Sequence, residues 1–320
     1  MKWGIIATGT IAKKFARTLN EMKGEGESLV AVASRNLEKA QAFAAEFGAE
    51  KAFGSYEELA SFEGIDAVYI ATPNSLHYEN TKLCLSHSKN VLCEKPFTLR
   101  GEEAKELYQM ADKSGLFLME GLWISFLPLY KDLLTKIQSN EFGSLRHARC
   151  DYGFVAQGER RERKFKAELG GGALLDIGIY NLGFLQMVMG AEAQSFTSSV
   201  EMNEYGTDSF SVLQLAFPQG KTAQCAQAIG FVMARKAALY FDNASIYLDD
   251  FQNATSYTVE RAGQESQSFS FPFDINGFEY QIREFSQCVK EGKSHSSIHT
   301  PQKSIALLSL MEKISSSWNK

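Results

Sequence analysis

Paired cysteines, basic runs and long apolar runs are all missing from this sequence. Its five cysteines, at 84, 93, 150, 225 and 288, are odd in number and form no C-x-x-C pair. That pattern argues against a disulfide framework and suits reduced, buried thiols in a cytoplasmic protein. No cluster of Lys or Arg occurs and the formal net charge is −5, so neither nucleic acid nor a membrane surface is an expected partner. The longest apolar stretch, 173–189, contains Asp176 and Asn181 and is short for a membrane span. Strand-like sequence starts at Trp3 with no apolar leader before it, so no secretory signal is expected. Internal repeats and low-complexity segments are also missing.

What is present is a chain of 320 residues, 44% of them hydrophobic, long enough to bury more than one core. Residues 1–120 alternate strand-like and helix-like segments. Strands are expected at 3–7, 29–33, 67–71, 91–93 and 116–119, and helices at 10–21, 37–47, 78–87 and 101–113. Ser55-Tyr56-Glu57-Glu58 has the form of a capping box and starts a further short helix. Strands alternating with helices predict right-handed crossovers and a parallel sheet covered on both faces. The texture changes after Glu120. Helices are expected at 129–138 and 173–189, then strands at 209–217, 222–229, 237–241, 245–248 and 255–260. Asp242-Asn243-Ala244 reads as a hairpin connection. Helices return at 278–289 and 302–318. The expected division is an α/β domain over 1–120 and an α+β domain over 121–320. The second would hold a large, mostly antiparallel sheet with helices on one face.

Ala7, Gly9 and Ala12 occupy the G-x-G-x-x-G/A spacing that follows a first strand in dinucleotide-binding folds. Gly9 supplies the bare position beside a pyrophosphate, and Ala12 the small residue where helix meets strand. Ala7 replaces the first glycine. Backbone groups of Ala7, Thr8, Gly9, Thr10 and Ile11 would hold the pyrophosphate at a helix N-terminus; a plain strand-to-helix turn is the competing reading. The second strand ends in Ser34-Arg35 with no acid for a ribose 2′-hydroxyl. A hydroxyl and a guanidinium suit a 2′-phosphate, which favours NADP and leaves NAD open. A solvated loop arginine is the alternative.

Three further motifs follow in order: Thr72-Pro73-Asn74-Ser75-Leu76-His77, Glu94-Lys95-Pro96, and the run Gly170-Gly171-Gly172-Ala173-Leu174-Leu175-Asp176-Ile177-Gly178-Ile179-Tyr180. Together they resemble the glucose–fructose oxidoreductase / inositol dehydrogenase (Gfo/Idh/MocA) family over essentially the whole chain. Most of that family has a histidine where this chain has Tyr180. Tyr180, with Met119-Glu120-Gly121-Leu122-Trp123 upstream, resembles the branch of dimeric dihydrodiol dehydrogenase and NADP-dependent D-xylose dehydrogenase. The resemblance implies a doubly wound Rossmann domain and a substrate domain that also carries the oligomer contact. It further implies a cofactor site drawing on Thr72, Pro73, Asn74, His77, Glu94 and Lys95, and a cis Lys95–Pro96 bond.

Lys95 lies just past a parallel strand, where residues face the ligand crevice of such sheets. It can hydrogen-bond a reacting hydroxyl and move its proton. Asp176 and Tyr180 are four apart on an expected helix and share a face. A buried aspartate there needs a partner, for which Lys95 or substrate hydroxyls are suitable. Lys95, Asp176 and Tyr180 are the catalytic candidates; Trp123, Asp176, Tyr180 and His77 are the substrate-binding candidates. His295-Ser296-Ser297-Ile298-His299 has an i, i+4 histidine pair, but Pro301 and the missing Glu argue against a metal site. The expected activity is hydride transfer between nicotinamide and a secondary alcohol or hemiacetal carbon of a sugar or cyclic trans-diol. An NAD-dependent glycoside hydrolase and a non-catalytic sensor remain alternatives. Polar Ser, Gln and Thr on the outward sheet face suit a homodimer contact.

Overall fold

Strand β1 (Lys2–Ile6) is buried at every position after Lys2. Such unbroken burial, rather than alternation, marks a strand covered on both faces. The first unit continues through α1 (Thr10–Glu21), β2 (Ser28–Ala33), α2 (Leu37–Phe47), β3 (Lys51–Phe53), α3 (Tyr56–Ser61) and β4 (Ala67–Ile70). It is completed by α4 (His77–Ser86), β5 (Asn90–Glu94), α5 (Gly101–Ser114) and β6 (Leu118–Gly121). The six strands are ordered β3-β2-β1-β4-β5-β6, and every pair is parallel. This is the doubly wound order whose ligand crevice lies at the carboxyl ends of the strands, where the order reverses between β1 and β4. The capping box at α3 is present, with Ser55 and Glu58 each bonding the other's backbone.

The computed structural model describes residues 1–318. Its chain divides into two compact units, and the division is not linear. The first is Met1–Gly121 together with Asp274–Ile305; the second holds Leu122–Phe273 and the residues from Ala306 onward. A boundary after residue 120 is therefore incomplete, because 274–305 returns to the first unit. The reason is packing: Phe285 packs against Trp3 and Phe117, with ring centroids 4.8 and 4.9 Å apart.

The second unit begins with α6 (Pro128–Gln138), β7 (Leu145–Phe154) and α7 (Glu159–Phe165). A π-turn (Leu174–Gly178) then leads directly into α8 (Ile179–Met189). Seven strands follow: β8 (Ser195–Met202), β9 (Asp208–Ala216), β10 (Thr222–Ile229), β11 (Ala237–Phe241), β12 (Ser245–Leu248), β13 (Ser256–Glu260) and β14 (Gln267–Ser270). The closing helices are α9 (Phe278–Lys290) and α10 (Pro301–Ser317). The sheet order is β14-β13-β12-β11-β7-β10-β9-β8, antiparallel except for the β7–β10 pair. The expected strands from 209 to 260 occur within a residue or two of their places, and Phe241 N–H bonds the Ala244 carbonyl at 2.8 Å across the expected hairpin.

β3, β7, β8 and β14 are not among the expected strands, and β7 is the longest of them. Arg146, Arg149 and Asp151 give it the look of a polar loop, yet Leu145, Ala148 and Cys150 are buried on its other face. The stretch 167–189 is long and apolar enough to cross a membrane by length and composition. Its helix α8 is instead core: Leu182, Phe184 and Leu185 are at most 2% exposed.

Candidate active site

In the first unit, the turn after β1 has the form a pyrophosphate requires. Ala7 adopts φ 90°, the conformation that a glycine at this position of the fingerprint would take without strain. Its N–H bonds the Ala33 carbonyl at 2.9 Å, which ties the turn to β2. At Gly9 the backbone is extended (φ −75°, ψ −179°), and an added Cβ would meet nothing within 4 Å. Neither conformation nor internal packing demands a glycine there, so close approach by a ligand is the remaining reason for one. Helix α1 starts at Thr10 with no side-chain cap and no acid in its first turn. Helices α2 and α3, by contrast, are capped by Asn36 and Ser55. An uncapped first turn with a bare glycine fits an anionic pyrophosphate. Thr8 and Ile11 flank it half-buried, and Ala12 is fully buried against the sheet.

At the end of β2, Ser34 is nearly buried and its hydroxyl accepts from Asn36 N–H at 3.3 Å. Arg35 is exposed and hydrogen-bonds the Tyr56 hydroxyl. Burial raises the Tyr56 phenol, and Arg35 opposes the shift. Tyr56 thus fixes the guanidinium. Sequence reading used this residue only as part of a helix cap; its place one residue after the cap serine was the available signal.

Lys95 sits half-buried at the carboxyl end of β5, and the Lys95–Pro96 bond is cis. The backbone around it is held at several points. Glu94 is buried, and its carboxylate accepts from the Tyr69 hydroxyl at 2.5 Å and from the Lys95 backbone. Burial raises the Glu94 carboxyl, opposed by Tyr69 and Lys95. Phe97 N–H donates to Glu120 Oε1 at 3.0 Å. His77 lies with Nδ1 2.8 Å from the Pro96 carbonyl oxygen and Nε2 2.9 Å from that of Thr72. Thr72 Oγ1 accepts from Asn80 at 3.1 Å, and Pro73 and Asn74 lead half-buried into α4.

His77 is 0% exposed with both ring nitrogens against backbone carbonyls, so it braces the Lys95–Pro96 segment. Burial lowers its pKa, partly opposed by the two carbonyls. The buried Glu94 carboxylate likewise supports the Lys95 backbone.

Behind this segment Glu120, at 0% exposure, binds His299 Nε2 at 2.8 Å and the Ser304 hydroxyl at 2.5 Å. Burial would raise its carboxyl, but the bonds from His299, Ser304 and Phe97 N–H win and hold it below the ordinary carboxylate value. The histidine pair is thus split: His299 serves Glu120, and His295 faces Asp112 at 2.9 Å. Among the described residues no cluster could hold a metal ion.

In the second unit the structure brings Trp123 and Tyr180 together. The indole Nε1–H donates to the Tyr180 hydroxyl oxygen at 3.3 Å, and both residues are buried. An indole can only donate, so the phenol oxygen accepts in this contact and its own proton is not used there. Tyr152 packs against the Tyr180 ring at 6.2 Å between centroids. Asp176, in the π-turn one helical turn earlier, pairs with Lys164 of α7. Lys164 was not a sequence candidate. Nothing in the local pattern joins it to Asp176, twelve residues away.

Gly171 and Gly172, before Asp176, pack against the chain itself. A Cβ at Gly171 would come within 2.6–2.8 Å of backbone atoms of Lys164, Phe165 and Lys166. Gly172, at φ +112°, points toward Asp208. Asp208 is buried and accepts from Leu174 N–H at 2.8 Å, so it caps the run that carries Asp176 and Tyr180. Burial pushes its carboxyl up to about 6. Beyond it, Ser211, Gln227 and Asn181 continue a buried chain of hydrogen bonds at 3.3, 2.6 and 3.0 Å.

A parallel sheet in doubly wound order, an uncapped glycine turn at its switch point and a lysine at the end of a neighbouring strand define a nicotinamide-dependent oxidoreductase. The chain belongs to the Gfo/Idh/MocA oxidoreductase family: residues 1–122 match the family's NAD-binding Rossmann fold, and residues 130–246 match its C-terminal domain. It is 32% identical to trans-1,2-dihydrobenzene-1,2-diol dehydrogenase of Xenopus tropicalis, over 97% of this chain and 96% of that one. A 3-ketoreductase of Actinomadura kijaniata, solved with NADP and TDP-benzene, superimposes with a TM-score of 0.86 at 25% identity, covering 98% of this chain and 96% of that one. The aldose–aldose oxidoreductase of Caulobacter crescentus shares the fold at a TM-score of 0.87 and 22% identity, covering 100% of this chain and 98% of that one.

Proposed function

We propose that the protein is an NADP-preferring dehydrogenase acting on a ring carbon that bears a hydroxyl, in a sugar or a cyclic trans-diol. The nicotinamide, when bound, supplies the hydride acceptor. The turn at Ala7–Ile11 holds the pyrophosphate, and Ser34 with Arg35 holds the 2′-phosphate. Tyr180 or Lys95 moves the hydroxyl proton, and Trp123 and Asp176 bind the substrate. The observation that carries this reading is the Trp123–Tyr180 contact, in which a donor-only indole sets a buried phenol with its oxygen accepting at 3.3 Å. The dihydrodiol dehydrogenase relative supports the diol as a substrate class.

The test is reduction of NADP followed by absorbance with a panel of aldoses and trans-diols. Tyr180→Phe should lower kcat by about 10²–10⁴-fold if the phenol carries the proton, the usual contribution of a general acid–base group. Lys95→Met should abolish turnover while leaving NADP binding nearly intact. Full activity in both variants would remove the chemistry from these residues.

A homodimer through the outer face of the eight-stranded sheet, in the cytoplasm, completes the proposal. Half-buried Tyr240 and Tyr247 line that face, 6.4 Å apart between centroids, with Arg149 over Tyr240. Tyr and Arg are the residue types enriched at protein interfaces. All five cysteines are free and buried, which suits a reducing compartment. Light scattering at micromolar concentration should give a dimer mass; a monomer mass would overturn that part.

A further inference from the structure

Asp208, Ser211, Gln227 and Asn181 are all buried, and the hydrogen bonds that join them run in one direction. Asn181 Nδ2 donates to Gln227 Oε1, Gln227 Nε2 to the Ser211 hydroxyl oxygen, and the Ser211 hydroxyl to Asp208. Ser211 of β9 and Gln227 of β10 stand directly opposite one another in the sheet, and Asn181 belongs to α8. These bonds meet the π-turn at both of its ends. Asp208 accepts from the N–H of Leu174, its first residue. Gln227 lies against Gly178, its last, where an added Cβ would stand 3.3 Å from Gln227 Cγ and Cδ. Tyr180 therefore lies in sequence between two residues that Gln227 touches, Gly178 and Asn181.

We propose that Gln227 is a positioning residue, which holds the π-turn in register and so sets the Tyr180 hydroxyl at the Trp123 indole. The inference rests on the dehydrogenase reading given above. A π-turn takes up one residue more than a turn of α-helix. Were it to close into an α-turn, every later side chain would rotate by about 100°, the angle per residue of a helix with 3.6 residues per turn. Tyr180, two residues past the turn, would then leave its 3.3 Å contact with Trp123. Burial alone does not prevent this. Helix α8 is buried and apolar on nearly every side, so its side chains give little preference for one rotation over another. The polar chain supplies that preference, because a rotated Asn181 would leave the buried Gln227 amide without its partner. Such a chain adds little stability over an apolar filling of the same space, but it admits one arrangement of its members.

The experiment reads the Trp123 indole N–H resonance by NMR, assigned from Trp123→Phe, in the unmutated protein, Tyr180→Phe and Gln227→Met. Gln227→Met nearly keeps the side-chain volume and leaves Asn181 Nδ2 bonded to the Ala226 carbonyl at 2.9 Å. The resonance should move toward the position it takes in Tyr180→Phe. Val188→Ala, a buried change further along α8, controls for loosening of the helix and should leave it in place. On a substrate that the unmutated protein oxidises, kcat should fall about 10- to 100-fold in Gln227→Met, the scale of a small misplacement of a reacting group, with NADP affinity unchanged. A resonance unmoved in Gln227→Met, or moved equally in Val188→Ala, would overturn the proposal, as would an unchanged kcat. If Gln227→Met does not fold, Ser211→Ala, which breaks the same chain by removing one oxygen, is read in its place. If the unmutated protein oxidises no alcohol, the dehydrogenase reading fails, and the indole resonance alone decides whether Gln227 positions Tyr180.

Discussion

Glu120 and His299, 179 residues apart in the chain, meet at 2.8 Å with both side chains almost fully buried. The other carboxylate oxygen holds Phe97 N–H, two residues after Lys95. Breaking a buried pair by removing one member leaves an uncompensated charge and typically costs about 3–5 kcal/mol. His299→Ala is expected to lower stability on that scale by denaturant unfolding. Glu120→Gln keeps one oxygen for Phe97 N–H and should cost less. A loss in His299→Ala no larger than that of an exposed histidine substitution would show that the pair contributes little.

Asp208 gives stability a particular pH dependence. Burial raises its carboxyl from 3.8 to about 6, so the folded state binds its proton more tightly than the unfolded chain does. Between pH 4 and 6 this group therefore makes stability fall as pH rises, by on the order of 3 kcal/mol in total. Asp208→Asn removes that slope. Its melting temperature relative to the unmutated protein should improve from pH 4.5 to pH 7; a constant difference would contradict the assignment.

Ala7 at φ 90° holds a conformation that L-residues disfavour by about 1–3 kcal/mol. Ala7→Gly relieves it, against an entropic cost of about 0.5–1 kcal/mol. A net gain of up to about 2 kcal/mol is expected, read as a higher unfolding midpoint in urea. A fall in stability would mean that the surrounding turn already accommodates the alanine methyl.

Arg35 is oriented by Tyr56 at the end of β2. Arg35→Ala should weaken NADP by about 1.5–3 kcal/mol, as for a hydrogen bond to a charged group, with a much smaller effect on NAD. Calorimetric titration of both cofactors checks it. Equal affinity for NADP and NAD in the unmutated protein would remove the 2′-phosphate from this site.

Local pattern carries far into this protein. The unbroken apolar runs of β1, β2 and β4 announced a covered parallel sheet, because a strand buried on both faces has no polar side to show. The motif residues were also legible: Lys95 stands at a strand end and Tyr180 on the expected helix because strand and helix periods decide such placements locally. β7 was hidden because its outward face carries Arg146, Arg149 and Asp151, and a strand with one polar face resembles a loop until its neighbours are known. The π-turn at Leu174–Gly178 was hidden too, since the same apolar spacing suits an unbroken helix.

Contacts distant in sequence set the roles of the individual site residues. His77 stood in the sequence as a ligand candidate, and only the fold places its two ring nitrogens against the carbonyls of Pro96 and Thr72. Asp176 needed a partner, for which the sequence offered Lys95 or substrate hydroxyls; the packing of Gly171 against 164–166 brings Lys164 to it, a contact no local pattern showed. His299 belonged to an apparent histidine pair, and the fold gives it to Glu120. The sequence by itself determined the class of fold, the cofactor turn and the motif residues, because these follow from short-range periodicity and spacing. Tertiary structure alone decided which buried charge meets which partner, because a carboxylate's partner is chosen by the residues that folding brings within hydrogen-bond reach.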